Sequence, residues 1–250
     1  MRAWLLDAGN TRLKASHWSG QGDIGDVEVV DYAQLSAWAE RLAPGERVVI
    51  SSVASPDRER QLRRVLPPHT QWVRTPKEGL GIRCAYSDHR KWGVDRWLAL
   101  AAAYAQQGDA CGVISIGTAM TFDLCDAGGQ HLGGWIAPGP QALLEALGPR
   151  TALPPPADLE QGIRDLATDT EPALLSGAMQ CALGAIQRAQ AQAQPHPIWL
   201  TGGGSTFLAQ LMEPSSGLNA APNLVLLGLS AWVRHQNDEY GGIDPRPATP

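Results

Sequence analysis

Leu5-Leu6-Asp7-Ala8-Gly9-Asn10-Thr11 is an apolar run closed by a glycine-containing turn, and Val113-Ile114-Ser115-Ile116-Gly117-Thr118-Ala119 repeats it position for position later in the chain. After the first turn, Leu13, Ala15 and His17 alternate with Arg12, Lys14 and Ser16; after the second, Thr121 to Cys125 reads as the returning strand. A third strand follows each hairpin, at 27–30 and at 132–136. Strand, turn, strand, strand, met twice, predicts a duplicated α/β protein with a cleft between its halves. The expected halves are residues 1–108 and 109–250.

Working outward, Leu35, Trp38 and Leu42 recur at helical spacing over 32–42 until Pro44-Gly45 stops them. Residues 47–53 read as a buried strand, 56–65 as a helix and 71–74 as a short strand, while 75–93 show no period. From Gly93 onward Trp97, Leu98, Leu100, Ala101, Ala102 and Tyr104 make an amphipathic helix with Asp95 in its first turn, where a carboxylate is favoured. Its apolar face is available for core or for a dimer. A long Ala-rich helix over 174–191, a strand over 198–201 and a helix over 224–233 complete the pattern, ahead of a loose tail from Gly241 with Pro245, Pro247 and Pro250.

Composition removes several function classes. Charged residues are 18 % and the hydrophobic set 44 %, which is not the composition of a disordered chain. Twenty basic against twenty-five acidic residues, with no Lys/Arg run beyond two, give nucleic acid no basic track. No apolar run approaches the roughly 20 residues of a membrane span, and Asp7 and Gly9 interrupt the start before a leader core forms, so no membrane partner and a cytoplasmic location are expected. Cys84, Cys111, Cys125 and Cys181 lack C-x-x-C spacing, and the histidines have no zinc spacing.

The two turns carry the chemistry. Each offers backbone N–H groups and small polar side chains, which suits phosphate oxygens; a single turn of this kind is more often ordinary hairpin chemistry, and the repetition is what points to phosphate. The Walker pattern G-x-x-x-x-G-K-[ST] is missing, and no G-x-G-x-x-G follows the first strand.

Six segments in order make the chain resemble the type III pantothenate kinases of bacterial coenzyme A synthesis, within the sugar kinase, Hsp70 and actin superfamily. They are D-x-G-N-T-x-x-K at 7–14, G-x-D-R at 93–96, G-T-A-x-T-x-D at 117–123, G-G-x-I-x-P-G at 133–139, T-x-L-P at Thr151–Pro154, and L-T-G-G at 200–203. The resemblance implies two ribonuclease H-like (actin-like ATPase) domains with a nucleotide cleft between them, ATP-dependent phosphorylation of pantothenate to 4′-phosphopantothenate, Mg²⁺, and a homodimer with pantothenate at the subunit interface. Two other readings stand beside it: a transcriptional accessory factor that keeps the fold, and a kinase for another small alcohol.

By the same resemblance, Asp7, Ala8, Gly9, Asn10, Thr11, Arg12, Leu13 and Lys14 form the ATP phosphate loop, and Thr118 also contacts ATP. Asp7 holds Mg²⁺, directly or through water; as a residue alone it is equally a turn-capping Asp, and Lys14 a solvated strand residue. Asp95 is the general base for pantothenate's hydroxyl, a role compatible with the helix-dipole reading of the same carboxylate. Tyr86, Gly93, Val94, Asp95, Arg96 and Thr170 are the substrate residues, against plainer readings of Tyr86 as a packed aromatic, Arg96 as a surface ion pair and Thr170 as a helix cap. Gly202, Gly203 and Gly204 resemble the adenosine-side glycine turn.

Two departures from the family's pattern matter. Ser115 stands where many members have an Asp that ligates K⁺ or NH₄⁺, and a neutral oxygen weakens such a site unless other oxygens complete it. His89 stands where a Pro often follows the substrate Tyr, so that loop needs another way to hold its shape.

Overall fold

Period-two alternation from Ala3 to Trp18 buries Leu6, Ala8, Leu13 and Ala15 on one face, and in the computed structural model it folds as a hairpin of β1 (Ala3–Ala8) and β2 (Arg12–Trp18). The structure describes residues 2–147, 166–210 and 217–239. The Thr151–Pro154 motif and the tail from Gly241 lie outside the described residues. The chain divides into two compact units, at Gln106/Gln107 and again at Asn223/Leu224.

In the first unit β3 (Val27–Asp31) pairs antiparallel with β2, while β4 (Val48–Ser52) runs parallel to β1 and β5 (Gln71–Trp72) parallel to β4. The sheet order is β3-β2-β1-β4-β5. The helix expected over 32–42 is shorter: a 3₁₀ turn at Tyr32–Gln34 leads into α1 (Leu35–Ala39). Helix α2 (Pro56–Val65) has Pro56 in its first turn, the Ser55 hydroxyl accepting from Arg58 N at 3.5 Å, acids at its start and Arg63 and Arg64 at its end. Residues 75–93 lack a period because their strands are two residues each, β6 (Glu78–Gly79) and β7 (Ile82–Arg83), turned by Leu80 and Gly81 at positive φ. A 3₁₀ turn at His89–Lys91 follows, and then α3 (Val94–Gln107).

The second unit repeats the plan. It contains β8 (Cys111–Ile116), β9 (Ala119–Cys125), β10 (His131–Pro138), α4 (Pro140–Leu147), α5 (Thr170–Ala193), β11 (Ile198–Thr201), α6 (Ser205–Gln210) and β12 (Leu218–Ala220). Its order, β10-β9-β8-β11-β12, is that of the first sheet element for element. Met120 and Phe122 of β9 join Met179, Ala182 and Ile186 of α5 in the core. Asp123 is buried against His131, whose Nε2 lies 3.0 Å from Asp123 Oδ1. The repeat is imperfect at the hairpin turns, where Gly9–Arg12 separate the paired Ala8 and Leu13 whereas only Gly117–Ala119 separate Ile116 and Met120.

Two expectations change. The final helix, α7 (Leu224–Glu239), belongs to the first unit and packs on β1 and β4, so the division into 1–108 and 109–250 assigns it to the wrong half. The apolar face of α3 is no dimer surface: Trp97, Leu98, Leu100 and Ala103 are buried within the chain. Among the described residues no helix is long and apolar enough to cross a membrane.

Glycines brace the second turn. Gly139 N donates to Thr118 O at 2.9 Å and Gly204 N to Ile116 O at 3.2 Å. A Cβ on Gly139 would overlap the Gly117 carbonyl, and one on Gly202, at φ 91°, would overlap the Ile116 carbonyl. We expect Gly139→Ala and Gly202→Ala each to cost at least about 2 kcal/mol, seen as a lowered midpoint in chemical unfolding; an unchanged midpoint would show that the backbone yields instead.

Candidate active site

Strand pairing sets Lys14, Asp7 and Ser51 side by side in a row across β2, β1 and β4, with Asp7 the cross-strand partner of both others. Because alternate residues face opposite ways, this row lies on the face away from Leu6 and Ala8. Ser51, fully buried, donates from Oγ to Asp7 Oδ1 at 3.3 Å. Burial, reinforced by the Asp95 carboxylate, pushes the Asp7 carboxyl up from its usual range to about 7, against the opposing pull of Lys14 and Ser51. Burial likewise draws the Lys14 ammonium down, and Asp7 resists it. Asp7 is therefore no turn cap, and Lys14 no freely solvated lysine.

The turn after Asp7 is held from outside. Tyr32 donates from Oη to Gly9 O at 2.6 Å, Asn10 Nδ2 reaches Val53 O at 3.3 Å, and Val53 N donates to Ala8 O at 3.1 Å. A Cβ on Gly9 would meet only Arg12 O, at 3.4 Å, which is ordinary contact, and a Cβ on Gly117 nothing nearer than 3.7 Å. Unlike Gly139 and Gly202, these two glycines answer no packing need of the chain. Gly9 N donates to Arg12 O at 3.2 Å and Gly117 N to Ala119 O at 3.0 Å, so each turn closes on itself with no side chain at its glycine.

Asp95 enters from the first turn of α3, where the helix N-terminus favours its charge. Its carboxylate folds back toward the residue two places before it: a Cβ on Gly93 would stand 2.5 Å from Asp95 Oδ1. Gly93 thus serves the placement of Asp95. The next residue, Arg96, is buried rather than a surface ion pair, and its Nη1 donates to Tyr86 Oη at 3.2 Å. Tyr86 is half-buried and stacks on the buried Trp92, with ring centroids 6.2 Å apart and planes at 24°. The structure brings together Asp7, Lys14 and Asp95, and separately ties Tyr86 to Arg96.

In the second unit Thr118 is exposed in its turn and Ser115 faces Thr121 across the hairpin. Thr170 is the first residue of α5 after the N-cap Asp169, and lines an apolar cavity of 530 Å³ with Leu143, Leu144, Leu147 and Leu174. Gly202 and Gly204 have a structural task beside Ile116, while Gly203 is exposed with nothing within 4 Å of a Cβ. Sequence reasoning missed Ser51, Tyr32 and Trp92. A serine directly after the apolar run Val48-Val49-Ile50 was the available signal for Ser51; the other two depend on contacts distant in sequence.

Two variants separate site from scaffold. Ionising Asp7 in the folded protein costs stability from about pH 4, where the unfolded carboxyl ionises, and the cost is complete above about pH 7. Asp7→Asn should therefore raise the stability of the ligand-free protein by about 2 to 4 kcal/mol at pH 8, with the gain vanishing near pH 4; thermal melts across pH read it. Gly9→Ala should leave those melts within about 0.5 kcal/mol of the parent and yet weaken nucleotide binding in calorimetry.

A sequence model of the family described as type III pantothenate kinase matches residues 4–192. A protein named type III pantothenate kinase from Stenotrophomonas maltophilia (strain R551-3) is 36 % identical over 248 residues, covering 94 % of this chain and 99 % of that one. Its namesake from Xanthomonas campestris pv. campestris (strain B100) is 38 % identical over 250 residues, covering 94 % and 98 %. Among solved structures, a Campylobacter jejuni protein assigned to the Baf family of transcriptional activators superposes with TM-score 0.61 at 18 % identity, covering 94 % of this chain and 99 % of that one. The activator of 2-hydroxyisocaproyl-CoA dehydratase from Clostridium difficile, with bound ADPNP, gives 0.55 at 10 % identity, covering both chains completely. At these identities the structural likeness shows the actin-like ATPase fold alone.

Proposed function

Since the chain belongs to the type III pantothenate kinase family, we propose that Asp95 is the base of its phosphoryl transfer, that Asp7 to Lys14 hold the phosphates of ATP, and that Tyr86, Gly93, Val94, Arg96 and Thr170 take pantothenate. The enzyme phosphorylates pantothenate with ATP, the first step of coenzyme A biosynthesis. The likeness to a transcriptional activator carries only the fold and does not compete with this activity.

One observation carries the residue assignment: the Asp95 carboxylate lies close enough to the buried Asp7 to act on it, and Asp7 leads directly into the glycine turn at Gly9. In a loose phosphoryl transfer the attacking oxygen needs aim more than full deprotonation. Asp95 accepts the hydrogen bond of pantothenate's primary hydroxyl and takes its proton as the oxygen bonds to the γ-phosphorus and the bond to the β–γ bridging oxygen breaks, releasing ADP. Arg96 supplies a cation and planar donors for the carboxylate of pantothenate, and Tyr86, already joined to it, adds a hydroxyl. Two crowded carboxylates fit a divalent cation, so Asp7 would hold Mg²⁺, directly or through water, and the ion would neutralise charge on the phosphates. Thr118 adds a contact to ATP, and the enzyme works as a cytoplasmic homodimer.

The second turn argues against a strong monovalent-cation site. Where the first hairpin pairs Asp7 with Lys14, the second pairs Ser115 with Thr121, so neither charge is reproduced. We expect activity to depend weakly or not at all on K⁺ or NH₄⁺, and Ser115→Asp to create or strengthen that dependence. Titrating KCl against NaCl at constant ionic strength checks this, and strong saturable activation of the parent enzyme would contradict it. For the reaction itself, pantothenate-dependent ADP release should fall by about 100-fold or more in Asp95→Asn, with ATP binding retained. A loss of less than about tenfold would remove Asp95 from the role of base.

A further inference from the structure

His89 stands in the segment between the substrate tyrosine and α3, where the family's pattern often has Pro. A proline fixes its own φ covalently; a histidine does not, and here the loop is held by hydrogen bonds instead. His89 Nδ1 lies 2.7 Å from the Thr75 carbonyl oxygen. A carbonyl only accepts, so Nδ1 carries the hydrogen and donates it. Thr75, itself buried, donates from Oγ1 to the Trp92 carbonyl at 2.8 Å. Asp88 caps the intervening 3₁₀ turn by accepting from Arg90 N at 3.1 Å, and Trp92 N donates to His89 O at 3.1 Å.

Trp92 is therefore fixed at its backbone from both sides, and its ring carries Tyr86. It also stands directly before Gly93 and the α3 turn that bears Asp95 and Arg96. A rotation about Trp92 would shift the ring under Tyr86 and the start of that helix together, loosening the bond from Arg96 Nη1 to Tyr86 Oη.

We propose that Thr75 and His89 are positioning residues for pantothenate: through Trp92 they hold Tyr86 and Arg96 in one geometry and so set the affinity for the acceptor. This rests on the assignment of Tyr86 and Arg96 to pantothenate. Neither Thr75 nor His89 touches the reacting atoms. Their removal acts on KM for pantothenate and leaves the phosphate loop alone.

The test is steady-state kinetics on the full chain, varying each substrate separately, with a thermal melt for each variant. In His89→Ala and Thr75→Val, KM for pantothenate should rise about three- to tenfold, while KM for ATP stays within about twofold. His89→Asn and Thr75→Ser keep a donor at the same place and should recover most of the loss, a response that general destabilisation would not give. Arg96→Ala separates the two levels of inference. If it raises KM for pantothenate and the His89 and Thr75 variants do not, the positioning role is overturned and the substrate assignment stands. If it leaves KM for pantothenate unchanged, the assignment falls and the positioning role with it. A parallel rise in both KM values, or no recovery in the Asn and Ser variants, also overturns the positioning role.

Discussion

Two carboxylates, Asp7 on a central strand and Asp95 on a helix start, are kept close in the first unit, where burial above all, and then the second charge, push the Asp7 carboxyl up. Folding would relieve that repulsion by moving either side chain outward, yet the chain opposes the move at each point. Ser51 holds Asp7 from the neighbouring strand, and Gly93 has no side chain where the Asp95 oxygen needs room. Like charges concentrated in this way are unfavourable in the empty protein and useful to one that receives phosphate and a divalent cation. The rest of the first unit reads as support for that arrangement: β4 brings Ser51, α3 brings Asp95, and Tyr32 fixes the turn beside them.

Much of the fold was legible because it obeys simple periods. Alternation in β1 and β2, the buried strand β4, and the apolar stripe of α3 are local patterns, and the repeated run with its glycine announced the duplication that the matching strand orders bear out. What failed was not local. Nothing in the sequence of α7 says that it returns to pack on β1 and β4, since an apolar helix face specifies burial without naming the partner. The helix expected over 32–42 was misread for a related reason: Tyr32 is buried in order to reach the Gly9 carbonyl, and the chain there tightens into a 3₁₀ turn before the helix begins.

The site shows the same division. Asp7, Asp95, Tyr86 and Arg96 are candidates that motifs single out, and the structure adds how they are held: by Ser51, by Gly93, and by Trp92 under the tyrosine ring. Glycines illustrate why motif and mechanism differ. Gly9 and Gly139 both sit in family segments, but only Gly139 is required by the chain's own atoms, since a side chain there meets backbone at once. An identical letter leaves room for a side chain in one place and answers a close packing contact in the other.

The pairs that close the two hairpins, Ala8–Leu13 and Ile116–Met120, all face a core, so four residues in one turn and three in the other leave the register of both sheets undisturbed. A residue gained between β8 and β9 is absorbed by the bend. One gained inside β9, after Met120, would exchange inside for outside along the remainder of the strand, carrying Phe122 out of the α5 core and Asp123 into it. Length is therefore tolerated at the bends of the doubled plan and forbidden along its strands.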